Sequence, residues 1–211
     1  MSDWPSTAAS LATAAGTLVL AAATFSAVRS SQRAARATEQ ALLAGIRPVI
    51  VASNLEDKEQ KIGFVDDQWL RVSGGRAAFE TTNDVIYMAV SMRNVGNGLA
   101  VLDRWDLIPG QDREEHVRGD EDSFRRLTRD IYVPAGDLGF WQGALRDRED
   151  PLFSTVAESI RNGERMTLDI LYGDHRGGQR TITRFSLIPG HEGTWMATVG
   201  RHWNLDLPNP R

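Results

Sequence analysis

The sequence has 211 residues, of which 41% are hydrophobic and 25% are charged, and it contains no cysteine. This composition excludes a wholly disordered chain, and the length allows one domain of about 150 residues with an appendage. Without cysteine, disulfides, thiolate metal sites, iron–sulfur clusters and cysteine nucleophiles are excluded. Residues 1–47 carry a net charge of +2 and the other 164 carry −6. This pattern favours attachment to anionic lipid through a basic neck, and it disfavours nucleic-acid binding.

Residues 6–28 form an uncharged run of 23 residues between Asp3 and Arg29. As a helix this run spans roughly 34 Å, enough to cross a hydrocarbon core of about 30 Å. The run is rich in Ala, Thr and Ser, and its strongly apolar residues are Leu11, Leu18, Val19, Leu20, Phe25 and Val28. Those six contribute roughly −2 to −4 kcal/mol to membrane insertion. The run is therefore predicted to be a single-pass transmembrane helix.

Three other interpretations of this run are weaker. A cleaved signal peptide has a basic stretch before its apolar segment, but here no Lys or Arg precedes Arg29. A buried core helix is seldom uncharged for so long, and an interfacial helix has a charged face. Three arginines follow the run within eight residues. The positive-inside rule then predicts an uncleaved signal-anchor in the cell membrane, with the N-terminus outside and the large domain in the cytoplasm.

Small residues recur every fourth position in the run, at Ala8, Ala12 and Gly16. This spacing allows weak self-association between two helices. Residues 29–46 are predicted to continue the helix as a neck, with Gly45 as a C-cap before Arg47-Pro48. One face of the neck carries an arginine stripe, and another carries alanines that could contact a partner helix. The stripe consists of Arg29, Arg33 and Arg36. It either contacts lipid headgroups or only fixes the topology of a solvated helix.

After Pro48 the pattern changes from helical periodicity to alternation, and β-branched and aromatic residues become common. A single short helix is predicted at residues 151–161, ending at Asn162-Gly163. In two of the strands an alternating apolar face is clear: Ile86, Met88, Val90 and Met92 in one, and Met166, Leu168, Ile170 and Tyr172 in the other. The predicted strands are 48–54, 61–65, 85–94, 100–108, 131–133, 139–145, 165–173, 179–188 and 193–203.

Many short strands with little helix between them indicate an antiparallel sandwich or barrel. We predict a mainly β, immunoglobulin-like β-sandwich preceded by the long N-terminal helix. The predicted division is a transmembrane segment over residues 1–28, a juxtamembrane basic helix over 29–46, the sandwich over 47–205 and a tail over 206–211. Tryptophans in or beside the strands are expected in the core. These are Trp69, Trp105, Trp141, Trp195 and Trp203.

No local motif indicates chemistry. The sequence lacks HExxH, GxSxG and phosphate-loop patterns. Its four histidines are interpreted as exposed loop residues: His116, His175, His191 and His202. Residues 109–130, with seven acids and five arginines, are predicted to form a charged surface excursion. We therefore predict no catalytic, cofactor-binding or metal-binding residue, and no cofactor.

Two stretches of the body are distinctive, RNVGNGLA at residues 93–100 and YVPAGDLGFWQG at residues 132–143. With the N-terminal run and the neck that ends in Arg47-Pro48, they resemble a group of single-pass, membrane-anchored actinobacterial proteins with a β-sandwich domain. The resemblance implies an architecture for most of the chain. It implies no activity and no site residue.

These observations predict a non-catalytic, membrane-tethered interaction or accessory module that contacts membrane lipid and a protein partner of unknown identity. The alternative is an enzyme or small-ligand-binding domain whose site is assembled from distant loops, at residues 109–130, 173–178 and 189–193. An extracytoplasmic sandwich domain is the third possibility. A pocket that gathers His116 with Asp120 or Asp122, or His175 with His191, would favour the alternative.

Overall fold

The computed structural model describes residues 4–82, 84–110 and 117–209. The chain divides into two compact units, Met1–Gly45 and Ile46–Arg211. The first unit consists of one helix, α1 (Trp4–Gly45), which ends at the predicted cap. Among the described residues, no helix combines the length and the apolar character of a membrane-crossing segment. The predicted membrane span is therefore not supported by this structure and stays a prediction.

The second unit is mainly β, with one α-helix, α2 (Pro151–Asn162), where the sequence predicts it. The strands are β1 (Ile50–Ala52), β2 (Gln60–Gly63), β3 (Trp69–Val72), β4 (Arg76–Thr82), β5 (Val85–Asn94), β6 (Ala100–Pro109), β7 (Arg125–Val133), β8 (Leu138–Leu145), β9 (Met166–Asp174), β10 (Thr181–Pro189) and β11 (Trp195–Asn204). Short 3-10 helices occupy Glu121–Ser123 and His191–Gly193.

Nine of these strands form one antiparallel sheet, in the order β1-β5-β4-β11-β10-β9-β6-β7, with β8 also paired to β5. The path from β8 through β5 to β7 crosses seven strand spacings, which would separate its ends by about 34 Å in a flat sheet. However, β7 ends at Val133 and β8 begins at Leu138. The short connection reaches at most about 18 Å. The sheet must therefore curl so that its two ends approach each other.

The immunoglobulin-like sandwich is not confirmed, because the main strands belong to one curled sheet and only β2 and β3 form a second, two-stranded sheet. Alternation of apolar and polar residues specifies which face of a strand is buried. It does not specify whether the strands across the core belong to a separate sheet or to the same sheet after it has curled. The coarser prediction, a mainly β antiparallel domain after a long helix, is confirmed.

The main core lies inside the curl. Both predicted apolar faces are confirmed, since their eight residues all belong to this core. Trp105 of β6 and Trp141 of β8 meet edge to face with their ring centroids 5.2 Å apart. Trp195 and Trp203 are also buried, as predicted. Trp69 is the exception, because 51% of it is exposed and Lys61 lies over its ring.

Three strand predictions need correction. The sequence pattern does not indicate β3 or β4, and the predicted charged excursion at residues 109–130 overlaps the first six of the nine residues of β7. Of the excursion's remaining residues, 111–116 lie outside the described residues. Strands β4 and β7 are polar along much of their length. They are ordered by pairing with neighbouring strands, β4 with β5 and β7 with β6.

Helix α2 begins with an aspartate that has two roles. The Asp150 carboxylate accepts a hydrogen bond from the Leu152 backbone N–H at 3.0 Å, and it forms a two-pronged ion pair with Arg125 of β7. The hydrogen bond from Arg125 holds the pKa of the Asp150 carboxyl below its usual value of 3.8. Asp150 therefore caps the helix and ties it to the sheet.

We expect Asp150→Ala to lower the free energy of unfolding by about 1–2 kcal/mol at pH 7, because it removes the cap and the ion pair. The contribution of the ionised carboxylate is fully present above its unfolded pKa of about 3.9, and it is lost as the pH falls through the lower folded-state pKa. Urea denaturation at pH 7 and below pH 3.8 should show the difference shrinking in acid. Glu158→Ala is the control, at an exposed glutamate of α2 for which no side-chain hydrogen bond or ion pair is found among the described residues. An equal loss for both variants would contradict the assignment.

Candidate functional site

The residues that enter the β unit are held by one buried asparagine. The Asn94 amide oxygen accepts hydrogen bonds from the backbone N–H groups of Val49 at 3.1 Å and Gly96 at 3.0 Å. Its amide nitrogen donates to the carbonyls of Gly98 at 2.7 Å and Val133 at 2.9 Å. All four hydrogen-bonding positions of this side chain are thus used, which is what burial of an amide requires.

The two distinctive stretches of the sequence meet at this asparagine. The Gly136 N–H donates to the Asn94 carbonyl at 2.8 Å, and the Asn94 N–H donates to the Asp137 carbonyl at 3.1 Å. A Cβ atom on Gly98 would lie 1.7 Å from the Ile46 carbonyl oxygen, so only glycine fits there. The two stretches therefore act together as a clamp, formed by residues 93–98 and 133–137, that fixes residues 46–49.

A cavity of about 330 Å³ opens beside the clamped segment. It lies where β9 ends, β10 begins and β11 ends, so residues that are distant in the chain meet there. It is lined by Arg47, Pro48, Val49, Tyr172, Thr181, His202 and Asn204. All seven belong to the β unit.

The strand register explains this gathering. Thr181 lies opposite Tyr172 on one side and Asn204 on the other. Thr183, which is two residues further along β10, lies opposite His202. Because side chains two apart on a strand point to the same face, the two threonines and their β11 partners share the face that meets Arg47.

The arginine of the cavity is held by neutral groups. One guanidinium nitrogen of Arg47, Nη2, donates to Thr181 Oγ1 at 3.0 Å and to the Asn204 amide oxygen. Asn204 is itself fixed, since its amide nitrogen donates to the Pro208 carbonyl at 2.7 Å. Within residues 4–82, 84–110 and 117–209, no carboxylate forms an ion pair with Arg47. The cavity therefore has a positively charged wall.

A chain of hydrogen bonds ends at the histidine of the cavity. The Ile50 N–H donates to the Tyr172 hydroxyl at 3.1 Å, and that hydroxyl lies 3.0 Å from Thr183 Oγ1. Thr183 Oγ1 lies 2.7 Å from His202 Nδ1 and 3.4 Å from the Ile50 carbonyl oxygen. Burial raises the pKa of the Tyr172 hydroxyl above its usual 10.0, so this phenol keeps its proton.

Desolvation lowers the pKa of His202 below its usual 6.5, so the imidazole is neutral at pH 7. The Thr183 hydroxyl has one proton, so it donates either to Nδ1 of His202 or to the Ile50 carbonyl oxygen. In the first arrangement the ring proton of His202 lies on Nε2, and the ring offers the cavity a hydrogen-bond donor beside the guanidinium of Arg47. In the second arrangement the ring proton lies on Nδ1, and Nε2 is a hydrogen-bond acceptor.

The sequence-predicted candidates lie elsewhere. Arg29, Arg33 and Arg36 are exposed residues of α1, and lipid-headgroup contact through them stays a prediction. Ala8, Ala12 and Gly16 also lie on α1 at one-turn intervals, and self-association through them stays a prediction.

Of the histidine groupings that would favour a ligand site, the one of His175 with His191 does not form. His175 follows β9 and His191 follows β10, so they lie at opposite ends of β10. His116 lies outside the described residues. Asp120 accepts a hydrogen bond from the Asp122 backbone N–H, as the cap of a 3-10 helix. The described parts of the three loops proposed for a ligand site contribute no residue to the cavity.

The sequence pattern assigns no role to two residues of the cavity. It predicts only that Arg47 begins the β domain after the neck and that His202 is an exposed residue, whereas His202 is a half-buried residue of β11. Neither has a local signal, because each acquires its role from strands far away in the chain. In the described part of the chain, no three His, Asp or Glu side chains are grouped so that they could hold a metal ion.

Comparisons with known proteins do not assign a family. No family model and no curated protein matches the chain. One similar solved structure is described as a crystal structure of a protein from Archaeoglobus fulgidus. It has 12% sequence identity and a TM-score of 0.26, over 62% of this chain and 94% of that one. A similarity this low supports no conclusion about fold or function.

Proposed function

We propose that this protein is a single-pass, membrane-attached binding module, with its N-terminus outside and its β domain on the cytoplasmic face. In this role α1 is the anchor, and the β domain is an accessory or interaction module that contacts a protein partner.

The observation that carries the proposal is the make-up of the first unit. It is a single helix of 42 residues, and the uncharged run of 23 residues lies in its N-terminal part. An isolated helix in water depends on packing an apolar face against something else. A lone helix has no second element within its own unit to provide that packing. Membrane lipid best provides this packing for an uncharged helical segment of roughly 34 Å that is followed by arginines.

Charge supports the orientation. Arg29, Arg33 and Arg36 extend along one face of α1 directly after the uncharged run, and Arg29 also lies over the Phe25 ring. Arginines at this position favour the cytoplasmic side and attract anionic headgroups by about 1 kcal/mol each. The acidic β domain, with a net charge of −6 over residues 48–211, would be repelled by the same headgroups. The basic stripe would therefore keep the neck at the membrane surface, while the acidic domain is repelled by the headgroups.

A binding role suits the cavity better than a catalytic one. Tyr172, Thr181 and Asn204 are each committed to hydrogen bonds within the fold. A nucleophile needs a side chain that a neighbouring base can activate and that reaches the substrate. Groups locked into a structural network serve instead as a preorganised surface for a ligand.

Extraction of membranes with alkaline carbonate tests the anchor. We expect the full-length chain to stay in the pellet and Gly16→Arg to move to the supernatant. An arginine at the centre of the span costs about 2.5–3.5 kcal/mol, which is as much as the apolar residues contribute. Ala37→Arg, which adds the same charge on the neck, should stay in the pellet. The anchor would be wrong if the unchanged chain washed into the supernatant.

A further inference from the structure

We propose that the cavity at Arg47 and His202 binds a small anion, a carboxylate or phosphate group carried on a short apolar substituent. The inference rests on the geometry of the β unit alone, and it does not depend on membrane attachment.

The first argument is the partnering of Arg47. Two other arginines that are partly or fully buried have carboxylate partners: Arg93 has Asp57 at 2.6 Å, and Arg184 has Asp169 at 2.7 Å. Arg47 has only neutral acceptors among the described residues, and both of them contact a single nitrogen, Nη2. A guanidinium has five N–H donors in a planar fork, so most of the donors of Arg47 are left for a ligand.

The second argument is the charge of the surroundings. The β domain is acidic overall, with −6 over residues 48–211, yet the lining of the cavity contains no Asp or Glu. Arg47 is therefore the only lining residue with a full charge at pH 7, given that His202 is neutral. A cation in a concave, partly desolvated site favours an anionic ligand, and a guanidinium fork suits the two oxygens of a carboxylate or phosphate.

The third argument is the rest of the lining. His202 supplies a neutral imidazole, whose position is fixed by the contact of Nδ1 with Thr183 and whose Nε2 can donate to an anion when Thr183 donates to Nδ1. Pro48 and Val49 supply an apolar wall, and their position is fixed by the Asn94 clamp. A volume of about 330 Å³ lies near the lower end of ligand pockets, about 300–1,000 Å³. The ligand is therefore small, with one anionic end and a short apolar end.

The anion could be a free molecule or the headgroup of an anionic lipid, and the test separates these sources. The full chain in neutral detergent is titrated with butyl phosphate, butyrate and, as an uncharged control, butanol, and its melting temperature is followed. In parallel, the melting temperature of the chain is measured in vesicles of phosphatidylcholine with and without phosphatidylglycerol. A ligand that binds the folded state raises the melting temperature in a saturable manner.

We expect at least one anion to raise the melting temperature saturably, while butanol does not. Arg47→Met should weaken this binding at least tenfold. Arg71→Met removes the same charge from an exposed ion pair with Glu59 and should change nothing. If Arg47→Met lowers the melting temperature only in vesicles that contain phosphatidylglycerol, the bound anion is a lipid headgroup. The proposal is overturned if neither arm shows binding that depends on Arg47.

Arg47→Met also removes hydrogen bonds to Thr181 and Asn204, so a second variant guards against misfolding. Val49→Phe leaves those bonds in place and fills the apolar side of the cavity. It should likewise weaken anion binding at least tenfold while the circular dichroism spectrum of the β domain is retained. If Val49→Phe folds and binds the anion as tightly as the unchanged chain, the cavity is not the binding site.

Discussion

Asp169→Asn is expected to lower the free energy of unfolding by about 3–5 kcal/mol, because it removes the charged carboxylate that pairs with a buried guanidinium. The side chains of Asp169 and Arg184 are 0% and 3% exposed. Arg184 donates to the carboxylate from Nε at 2.8 Å and from Nη2 at 2.7 Å, across adjacent strands β9 and β10. Its guanidinium also stacks on the Trp203 ring at 4.6 Å and donates to the Val117 carbonyl at 3.0 Å. Loss of the carboxylate affects all of these contacts.

Urea denaturation at pH 7, followed by tryptophan fluorescence and circular dichroism, measures this change. The control is Glu59→Gln, which breaks the ion pair between Glu59 and Arg71. The side chains of these two residues are 45% and 69% exposed. An exposed pair contributes about 0–1 kcal/mol, so the two variants should differ several-fold. Similar losses for Asp169→Asn and Glu59→Gln would show that burial does not set the strength of the first pair.

Asn94→Ala is expected to lower the free energy of unfolding by about 3 kcal/mol or more. The substitution leaves the carbonyls of Gly98 and Val133, and the N–H groups of Val49 and Gly96, without their partner. Each buried polar group left unsatisfied costs about 1–3 kcal/mol. Because this side chain clamps residues 46–49, its loss should also weaken any ligand binding at the cavity.

The matched control lies in the same loop. Asn97 is exposed, and no hydrogen bond of its side chain is found among the described residues. Asn97→Ala should therefore change the free energy of unfolding by less than about 0.5 kcal/mol. Chemical denaturation of both variants at one pH makes the comparison. A loss of less than about 1 kcal/mol for Asn94→Ala would contradict the role of this asparagine as the clamp.

Much of the β domain could be predicted from local patterns. Strand β5 has the predicted bounds, and helix α2 begins at the predicted Pro151 and ends within a residue of the prediction. These elements have strong local signals, namely unbroken alternation in β5 and a proline start with a glycine stop at Gly163 in α2. The left-handed conformation of Gly163, with φ of 63°, is the physical basis of that stop.

Elements without such signals were missed. β4 carries Arg, Glu and two Thr, and β7 begins with two arginines, so neither shows an apolar stripe. These two strands form because β4 pairs with β5 and β11, and β7 pairs with β6. A short window of the sequence does not reveal such pairing. The same limit explains the sandwich prediction, because curling of one sheet depends on how distant strands pair.

The candidate site could not be predicted, because it depends on pairing across the whole domain. The hydrogen bond between Arg47 and Thr181 joins residues 134 positions apart. The Thr183–His202 contact depends on the register of β10 and β11, which includes an irregularity after Arg184. The two distinctive stretches form the clamp that holds the Arg47 segment in place, and the sequence alone predicts no such role for them.

The central proposal is that α1 anchors the β domain on the cytoplasmic face of a membrane, and the absence of cysteine from the sequence allows a direct test. Single cysteines are introduced as Ser2→Cys and Val65→Cys, the latter at a position 83% exposed in the β domain. Spheroplasts are then treated with a membrane-impermeant maleimide, before and after lysis. We expect Ser2→Cys to react in intact spheroplasts and Val65→Cys to react only after lysis. Labelling of Val65→Cys before lysis would contradict the proposed arrangement.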